Sequence, residues 1–329
     1  AGAGPYRFII DTGAQRTVKR MFAMPFLLLL AAQSPVQQPA PATPPAETVP
    51  PLGDLLSFGA NGERMTVPVH IAGAGPYRFI IDTGAQRTVV SRELAGLLRL
   101  TAGPIVRVTA MTGVSEVSTV VIPSITVGAL GGERIEAPAL EGRFLGAPGM
   151  LGIDSLQGHT LAIDFDKQSM VVSPARRRPS FESRDPDEIV VRARSLLGQL
   201  VVTEAAVGRE RVRVIIDTGS AVTMGNHALQ RAVMRHGKQG IPITLTGVTG
   251  ETLTVNYTAL NTIKLGSMTI NDMPIAYAEN DAPPFKAFGL DKRPALMLGM
   301  DALRLFRRID IDFANREVRF IMPRNAQPS

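Results

Sequence analysis

FIIDTGAQRTVVS, residues 79–91, and VIIDTGSAVTM, residues 214–224, are two copies of one pattern: a hydrophobic strand running into Asp-Thr-Gly. Each copy is followed at a similar distance by a second matching stretch, GMLGIDSL at 149–156 and LMLGMDAL at 296–303. Each of those runs into a similar ending, TLAIDFDKQSMVV from Thr160 and RIDIDFANREVRF from Arg308. Both endings read as strand, polar turn, strand. Three matched elements in one order make the repeat a whole lobe rather than a stray tripeptide.

Between these landmarks, short β-rich runs alternate with Gly and Pro breaks: MTVPVHI, IVRVTAM and VSTVVIPSITVG in the first half, IPITLTG, ETLTVNYTALNTIKLG and TINDMPIAYAE in the second. Helices are few, the best candidates being Ser91 to Leu100 and Asn226 to His236. The pattern predicts a mostly β protein of two related lobes, spanning 52–173 and 189–325, with a four-residue tail at 326–329. Only 5% of residues are aromatic while 45% are hydrophobic, which suits β cores built from Val, Ile and Leu.

Other segments read as connectors or processing signals. Residues 1–18 repeat Ala72 to Val89 letter for letter, although the two lobes differ almost everywhere outside their landmarks. This segment lacks the rest of a lobe, reads as a copying artefact, and is set aside from the fold. Residues 19–32, KRMFAMPFLLLLAA, have a basic start, a short apolar run and small residues at the end, as a secretory signal does. The expectation is an exported protein, periplasmic or secreted, without stable membrane insertion after signal removal. Residues 33–51 form a Pro-rich tether, and 174–188 a charged linker with three prolines.

The chain carries no cysteine, which removes thiol nucleophiles, disulfides and thiolate metal sites together. Its formal charge of +6 is unevenly spread: residues 52–173 hold 9 basic and 11 acidic side chains, and 189–329 hold 18 and 12. No stretch interleaves basic and aromatic residues, so a nucleic-acid partner is not expected. The four histidines show no ligand spacing, and neither a metal nor a cofactor is expected. No Gly-x-Ser-x-Gly elbow or phosphate loop is present.

A strand ending in Asp-Thr-Gly places a carboxylate at the mouth of a tight turn, where the Thr hydroxyl can hydrogen-bond across the loop. If a pseudo-twofold axis relates the lobes, Asp82 and Asp217 face each other, too close for both to ionise. One then keeps a proton while the other acts as base, and a water between them can be activated. Asp154 and Asp301, beyond the second landmark, read as helix N-caps rather than as catalytic groups.

The paired Asp-Thr-Gly-Ala/Ser motifs, each followed by hydrophobic-hydrophobic-Gly, resemble the retropepsin-like aspartic protease family over nearly all of residues 55–325. The resemblance implies two retropepsin-like (acid protease) β-barrel lobes related by pseudo-twofold symmetry, with Asp82 and Asp217 as the catalytic dyad. It assigns Thr83, Gly84, Thr218, Gly219 and Ser220 to catalytic-loop support. The strands at Met150, Leu151, Gly152 and Met297, Leu298, Gly299 would pass through those loops and hold them from beneath. Each lobe also offers a flap over the substrate, TAMTGVSEV with Thr112 and Gly113, and TGVTGETL with Thr249 and Gly250.

The activity implied is aspartic endopeptidase cleavage of a polypeptide by a monomer with no cofactor. The rival is a non-catalytic peptide-binding protein on the same scaffold, or lobes that pair only in a homodimer. Two asymmetries between the copies carry further expectations. Ser220 stands where the first lobe has Ala85, and a hydroxyl donated to Asp217 would make Asp217 the ionised member. Val222 to Gly225 differ from Arg87 to Val90, which suggests an asymmetric substrate wall.

Overall fold

A computed structural model describes residues 7–9, 54–57, 59–61, 64–128, 130–175, 187–234, 240–278 and 282–323. The signal-like segment, the Pro-rich tether, most of the charged linker and the tail fall outside the described residues. Of the copied segment 1–18, the strand Arg7–Ile9 is described, paired in parallel with Arg107–Thr109.

Each lobe is built around the strand that ends at its aspartate. In the first, Met65, Val67, Val69 and Ile71 alternate inward along Arg64–Ile71 and are at most 1% exposed, the period of two that a half-buried strand demands. That strand pairs antiparallel with Ala74–Ile81, whose final Phe79, Ile80 and Ile81 are all buried. The alternation stops there because both faces are covered, Phe79 and Ile81 packing in one buried cluster and Ile80 in another, while Gly149–Leu151 pairs in parallel along the free edge.

The second lobe repeats this arrangement. Gln199–Val207 pairs with Glu210–Ile216, and Ala295–Leu298 runs parallel to the latter. In both lobes the chain after Asp-Thr-Gly returns as a short strand, Val89–Ser91 or Met224–Gly225, antiparallel to the hydrophobic-hydrophobic-Gly strand. A short helix follows each, Arg92–Leu97 capped by the Ser91 hydroxyl and His227–Val233 capped by the Asn226 side chain. The first helix stops short of Leu100 because Arg99 adopts φ 50°, which no helix accommodates.

The matched endings join the lobes. Hairpin His159–Asp164/Ser169–Pro174 and hairpin Arg308–Asp312/Glu317–Ile321 sit side by side, with Thr160 opposite Asp312 and Asp164 opposite Arg308. The register is symmetric about Ala162 and Asp310, as a pseudo-twofold axis requires. Both turns are closed the same way, Asp164 accepting from the Lys167 N–H and Asp312 from the Asn315 N–H, each at 2.9 Å. Strands Asp54–Ser57 and Glu188–Leu196 complete a six-stranded sheet under both lobes. Leu161, Ile163, Ile309, Ile311, Val318 and Phe320 belong to one buried cluster that runs through both halves. At about 1.5–3 kcal/mol per fully buried aliphatic or aromatic side chain, this seam is a major part of the stability. The fold is therefore mostly β, with two retropepsin-like lobes.

Candidate active site

The two Asp-Thr-Gly loops meet at the axis, and each is held by the other. The Thr83 backbone N–H donates to Thr218 Oγ1 at 3.1 Å, and the Thr218 N–H donates to Thr83 Oγ1 at 3.1 Å. Each hydroxyl then donates onward to the carbonyl before the opposite aspartate, Thr83 Oγ1 to Ile216 and Thr218 Oγ1 to Ile81, both at 2.8 Å. All four bonds are buried and cross from one lobe to the other. Thr218→Val leaves the Thr83 N–H and the Ile81 carbonyl unpaired in the interior, so a loss of about 2–4 kcal/mol in denaturant unfolding is expected, and Thr218→Ser should recover most of it.

Asp82 and Asp217 are 0% exposed. Asp82 Oδ1 accepts from the N–H groups of Gly84 and Ala85 at 2.9 and 2.8 Å; Asp217 Oδ1 accepts from those of Gly219 and Ser220 at 2.9 and 3.2 Å. The carboxylates approach closely enough that a Cβ on Gly84 would lie 2.6 Å from Asp217 Oδ1, and a Cβ on Gly219 would overlap the Asp82 carboxyl. The glycine of each motif thus makes room for the acid of the other. Burial, and after it the charge of Asp217, push the Asp82 carboxyl well above its ordinary range, against the pull of the two N–H donors. Asp82 Oδ2 is buried without a hydrogen-bond partner.

Beneath the loops, the hydrophobic-hydrophobic-Gly strands accept from the backbone of the aspartates. The Asp82 N–H donates to the Leu151 carbonyl at 2.9 Å and the Asp217 N–H to that of Leu298 at 3.0 Å. The chain then passes through the loop, the N–H of Ile153 donating to Ala85 and that of Met300 to Ser220. Met150, Leu151, Met297 and Leu298 are buried in the lobe cores.

Asp154 and Asp301 are not N-caps; Gly152 and Gly299 occupy the cap positions. Each aspartate instead reaches back to the Asp-Thr-Gly loop. Asp154 Oδ1 accepts from the Thr88 N–H and hydroxyl at 2.9 and 2.7 Å, and Asp301 Oδ1 accepts from the same groups of Thr223 at 2.9 and 2.6 Å. The Thr88 and Thr223 hydroxyls in turn accept from the N–H groups of Gly152 and Gly299. Burial raises the Asp154 carboxyl, opposed by its Thr88 bonds. These threonines, six residues after each Asp-Thr-Gly aspartate, were read from sequence only as part of a contrast in the substrate wall. The matched spacing, Thr at that offset and Asp two residues past each supporting glycine, is the signal that could have found them.

Ser220 does not serve Asp217 through its hydroxyl. Ser220 Oγ donates to the Val222 carbonyl at 2.7 Å and accepts from the Val222 N–H, so a local turn uses the group that was expected to stabilise the carboxylate. Nor does the contrast between 87–90 and 222–225 form a substrate wall at every position. Val89, Val90, Met224 and Gly225 are buried, and Gly225 makes room for the Tyr277 ring where the first lobe pairs Val90 with Ala139.

The flap candidates lie at two hairpin tips that meet each other. One is the turn Met111-Thr112 between Thr101–Ala110 and Gly113–Ile122, and the other is the loop from Gly247 to Glu251. Each tip enters the opposite lobe. Met111 packs in the second lobe's cluster with Ile215, Val222 and Met224, while Val248 packs in the first lobe's cluster with Ile80, Ala85 and Val89. Thr112 lies against Gly247, Gly250 against Phe144, and Ser115 Oγ donates to Glu251 Oε1 at 2.9 Å. The Thr112 and Thr249 hydroxyls are buried without partners.

Among the described residues no helix is long and apolar enough to cross a membrane, and no cluster of three or more His, Asp or Glu side chains could hold a metal. No curated protein sequence matches the chain. The family profile described as aspartyl protease matches twice, over residues 67–155 and 203–302, together more than half of the chain. Each match covers one set of these parts: the inner hairpin, the Asp-Thr-Gly loop, the flap and the supporting strand. Two matches bearing the same parts in the same order, brought face to face by the fold, show that the chain belongs to the aspartyl protease family, as a two-lobed retropepsin-like member.

Proposed function

We propose that this chain is an aspartic endopeptidase whose dyad is Asp82 and Asp217. The observation that carries the reading is the pair of buried, facing carboxyls, each seated on the other's motif glycine, with Asp82 raised by burial and by Asp217. Two such acids hold one proton between them over a wide pH range. The ionised member takes a proton from water, the resulting hydroxide attacks the peptide carbonyl carbon, and the protonated member donates to the developing oxyanion. Collapse of the tetrahedral species breaks the C–N bond, and the amine leaves with a proton returned by the dyad. Water is the only co-reactant, and no covalent enzyme intermediate forms.

The substrate in this reading is an extended polypeptide segment admitted when the flap tips separate and enclosed when they return. The signal-like residues 19–32 support an exported enzyme, which places its substrates among periplasmic or extracellular polypeptides.

The test is incubation of the purified protein with a diverse peptide mixture from about pH 4 to 7, the range suited to a shared-proton dyad, with products sequenced by mass spectrometry. Cleavage at internal bonds by the wild type and none by Asp82→Asn or Asp217→Asn is the expected result. Absence of cleavage by folded protein across that range would refute the endopeptidase and favour peptide binding on the same scaffold.

A further inference from the structure

The two halves of the dyad are alike in sequence but not in what stands behind them. Gln199 opens the strand Gln199–Val207 of the second lobe, immediately after a tight turn at Leu197-Gly198, where both residues have positive φ (53° and 96°). That turn crosses to the first lobe: a Cβ on Gly198 would lie 3.1 Å from Gln157 Nε2 and 3.2 Å from Ile153 Cγ2. It delivers Gln199, 0% exposed, onto the first catalytic loop, where Nε2 donates to the Gly84 carbonyl at 2.9 Å.

The Gly84 carbonyl and the Ala85 N–H belong to one peptide group, and that N–H is the 2.8 Å donor to Asp82 Oδ1. A donor on the carbonyl side fixes the plane of the peptide and polarises its N–H toward the carboxylate. The corresponding group in the second lobe joins Gly219 to Ser220, and its N–H stands 3.2 Å from Asp217 Oδ1. No described side chain donates to the Gly219 carbonyl. Gln199 is also costly: its Oε1 is buried with no partner, a burden that packing alone would not retain.

We infer that Gln199 is a positioning residue that breaks the symmetry of the dyad, acting through the Gly84–Ala85 peptide to favour the ionised form of Asp82 and not that of Asp217. The support falls on the opposite member of the dyad from the one that Ser220 was expected to serve. The ionisable side chains on the elements packed around Gln199 are Asp82 and Asp217 on the two loops, Arg87 and Asp154 behind the first loop, Glu204 on its own strand, Glu188, Arg192 and Arg194 on Glu188–Leu196, and Glu210, Arg211 and Arg213 on Glu210–Ile216. Gln199 itself is neutral, so its influence travels through hydrogen-bond geometry rather than through a charge of its own.

The inference takes its chemical meaning from the endopeptidase reading, but its decisive test needs no turnover. In the full-length protein with ¹³C-carboxyl-labelled aspartate, Asp217→Asn isolates the titration of Asp82, and Asp82→Asn isolates that of Asp217. Adding Gln199→Met should raise the Asp82 midpoint by about half a unit, the worth of a fraction of one hydrogen bond, and leave Asp217 within about 0.2 unit. In the otherwise wild-type enzyme the acid limb of kcat/KM should move upward by a similar amount, while Ser220→Ala leaves it in place. Should Gln199→Met fail to fold, Gln199→Glu keeps the side-chain length; once ionised it loses the donor, and the same Asp82 midpoint should rise further. An unmoved Asp82, equal movement of both aspartates, or a change confined to KM would overturn the inference. Peptide cleavage failing while the Asp82 midpoint moves would instead strike at the endopeptidase reading alone.

Discussion

Replacing either Asp82 or Asp217 with asparagine is expected to abolish peptide hydrolysis and, at neutral pH, to raise the melting temperature. The loss of activity follows from the removal of the base or the acid from a reaction that needs both; a fall of at least about 10³-fold is expected. The gain in stability follows from the same geometry. Both carboxyls are fully buried, and Asp82 is pushed upward first by that burial and then by the charge facing it. Asparagine keeps an acceptor for the loop N–H groups while removing a charge from the interior. Each kcal/mol so relieved should appear as roughly 2–4 °C in a protein of this size.

The sign of the pH dependence gives a second reading. Asp82 holds its proton in the folded state at pH values where the unfolded chain has released it. Folding therefore binds a proton, and the stability of the wild type falls as pH climbs from the unfolded carboxylate value through the raised folded value. Above the folded value the penalty is fully expressed; below the unfolded value it vanishes. Removing one partner should flatten that slope, so the variants gain most at neutral pH and little near pH 3. Thermal melts of wild type and both variants across pH 3–8 would show this. Asparagine variants that melt lower at pH 7, with an unchanged slope, would mean that the carboxyls are structural struts rather than a strained pair.

What the sequence revealed and what it hid divide along a physical line. Strands, hairpins and the lobe repeat were legible because each leaves a local trace: alternation in MTVPVHI, three-residue motifs repeated at similar offsets, and Asp at the closing turn of each matched hairpin. A supporting role for Thr83 and Thr218 was implied by the family resemblance that the paired motifs carry, not by a local trace. Hidden were contacts decided by what the other lobe brings. Nothing local marks Gln199 as a partner of Gly84, 115 residues away, or Met111 and Val248 as side chains that exchange lobes. Val90 with Ala139 against Gly225 with Tyr277 is a size exchange across two strands, visible once their register is known. The hydroxyl of Ser220 had two acceptors in reach by sequence, and the turn to Val222 took it. Asp154 and Asp301 stand beside short helical turns, as caps do, but the threonine of the loop above offers two donors where a cap would use one.

The second large effect is expected at the glycines that thread the loops, and there it falls on folding. A Cβ on Gly152 would lie 2.7 Å from the Thr88 nitrogen and closer still to the Arg87 carbonyl carbon; on Gly299 it would lie 2.7 Å from the Val222 carbonyl carbon and 2.9 Å from the Thr223 nitrogen. These are backbone atoms held from the far side by Asp154 and Asp301, so they cannot swing away as a side chain would. Gly152→Ala and Gly299→Ala must therefore push the loop off its supporting strand, parting the Thr88 or Thr223 bonds and the Asp82 or Asp217 N–H bond together. A destabilisation of about 3 kcal/mol or more is expected for each, measured by denaturant unfolding. Gly96, in the helix Arg92–Leu97, has nothing within 4 Å of its would-be Cβ. Gly96→Ala should accordingly be neutral or stabilise by up to about 1 kcal/mol through helix propensity. If Gly152→Ala proved as mild as Gly96→Ala, the loop would not be threaded and the aspartates would lack the support that keeps the two acids face to face. If Gly152→Ala and Gly299→Ala cost the same, the two lobes carry equal shares of that support, and the asymmetry of the dyad must arise above the strands, where Gln199 meets Gly84.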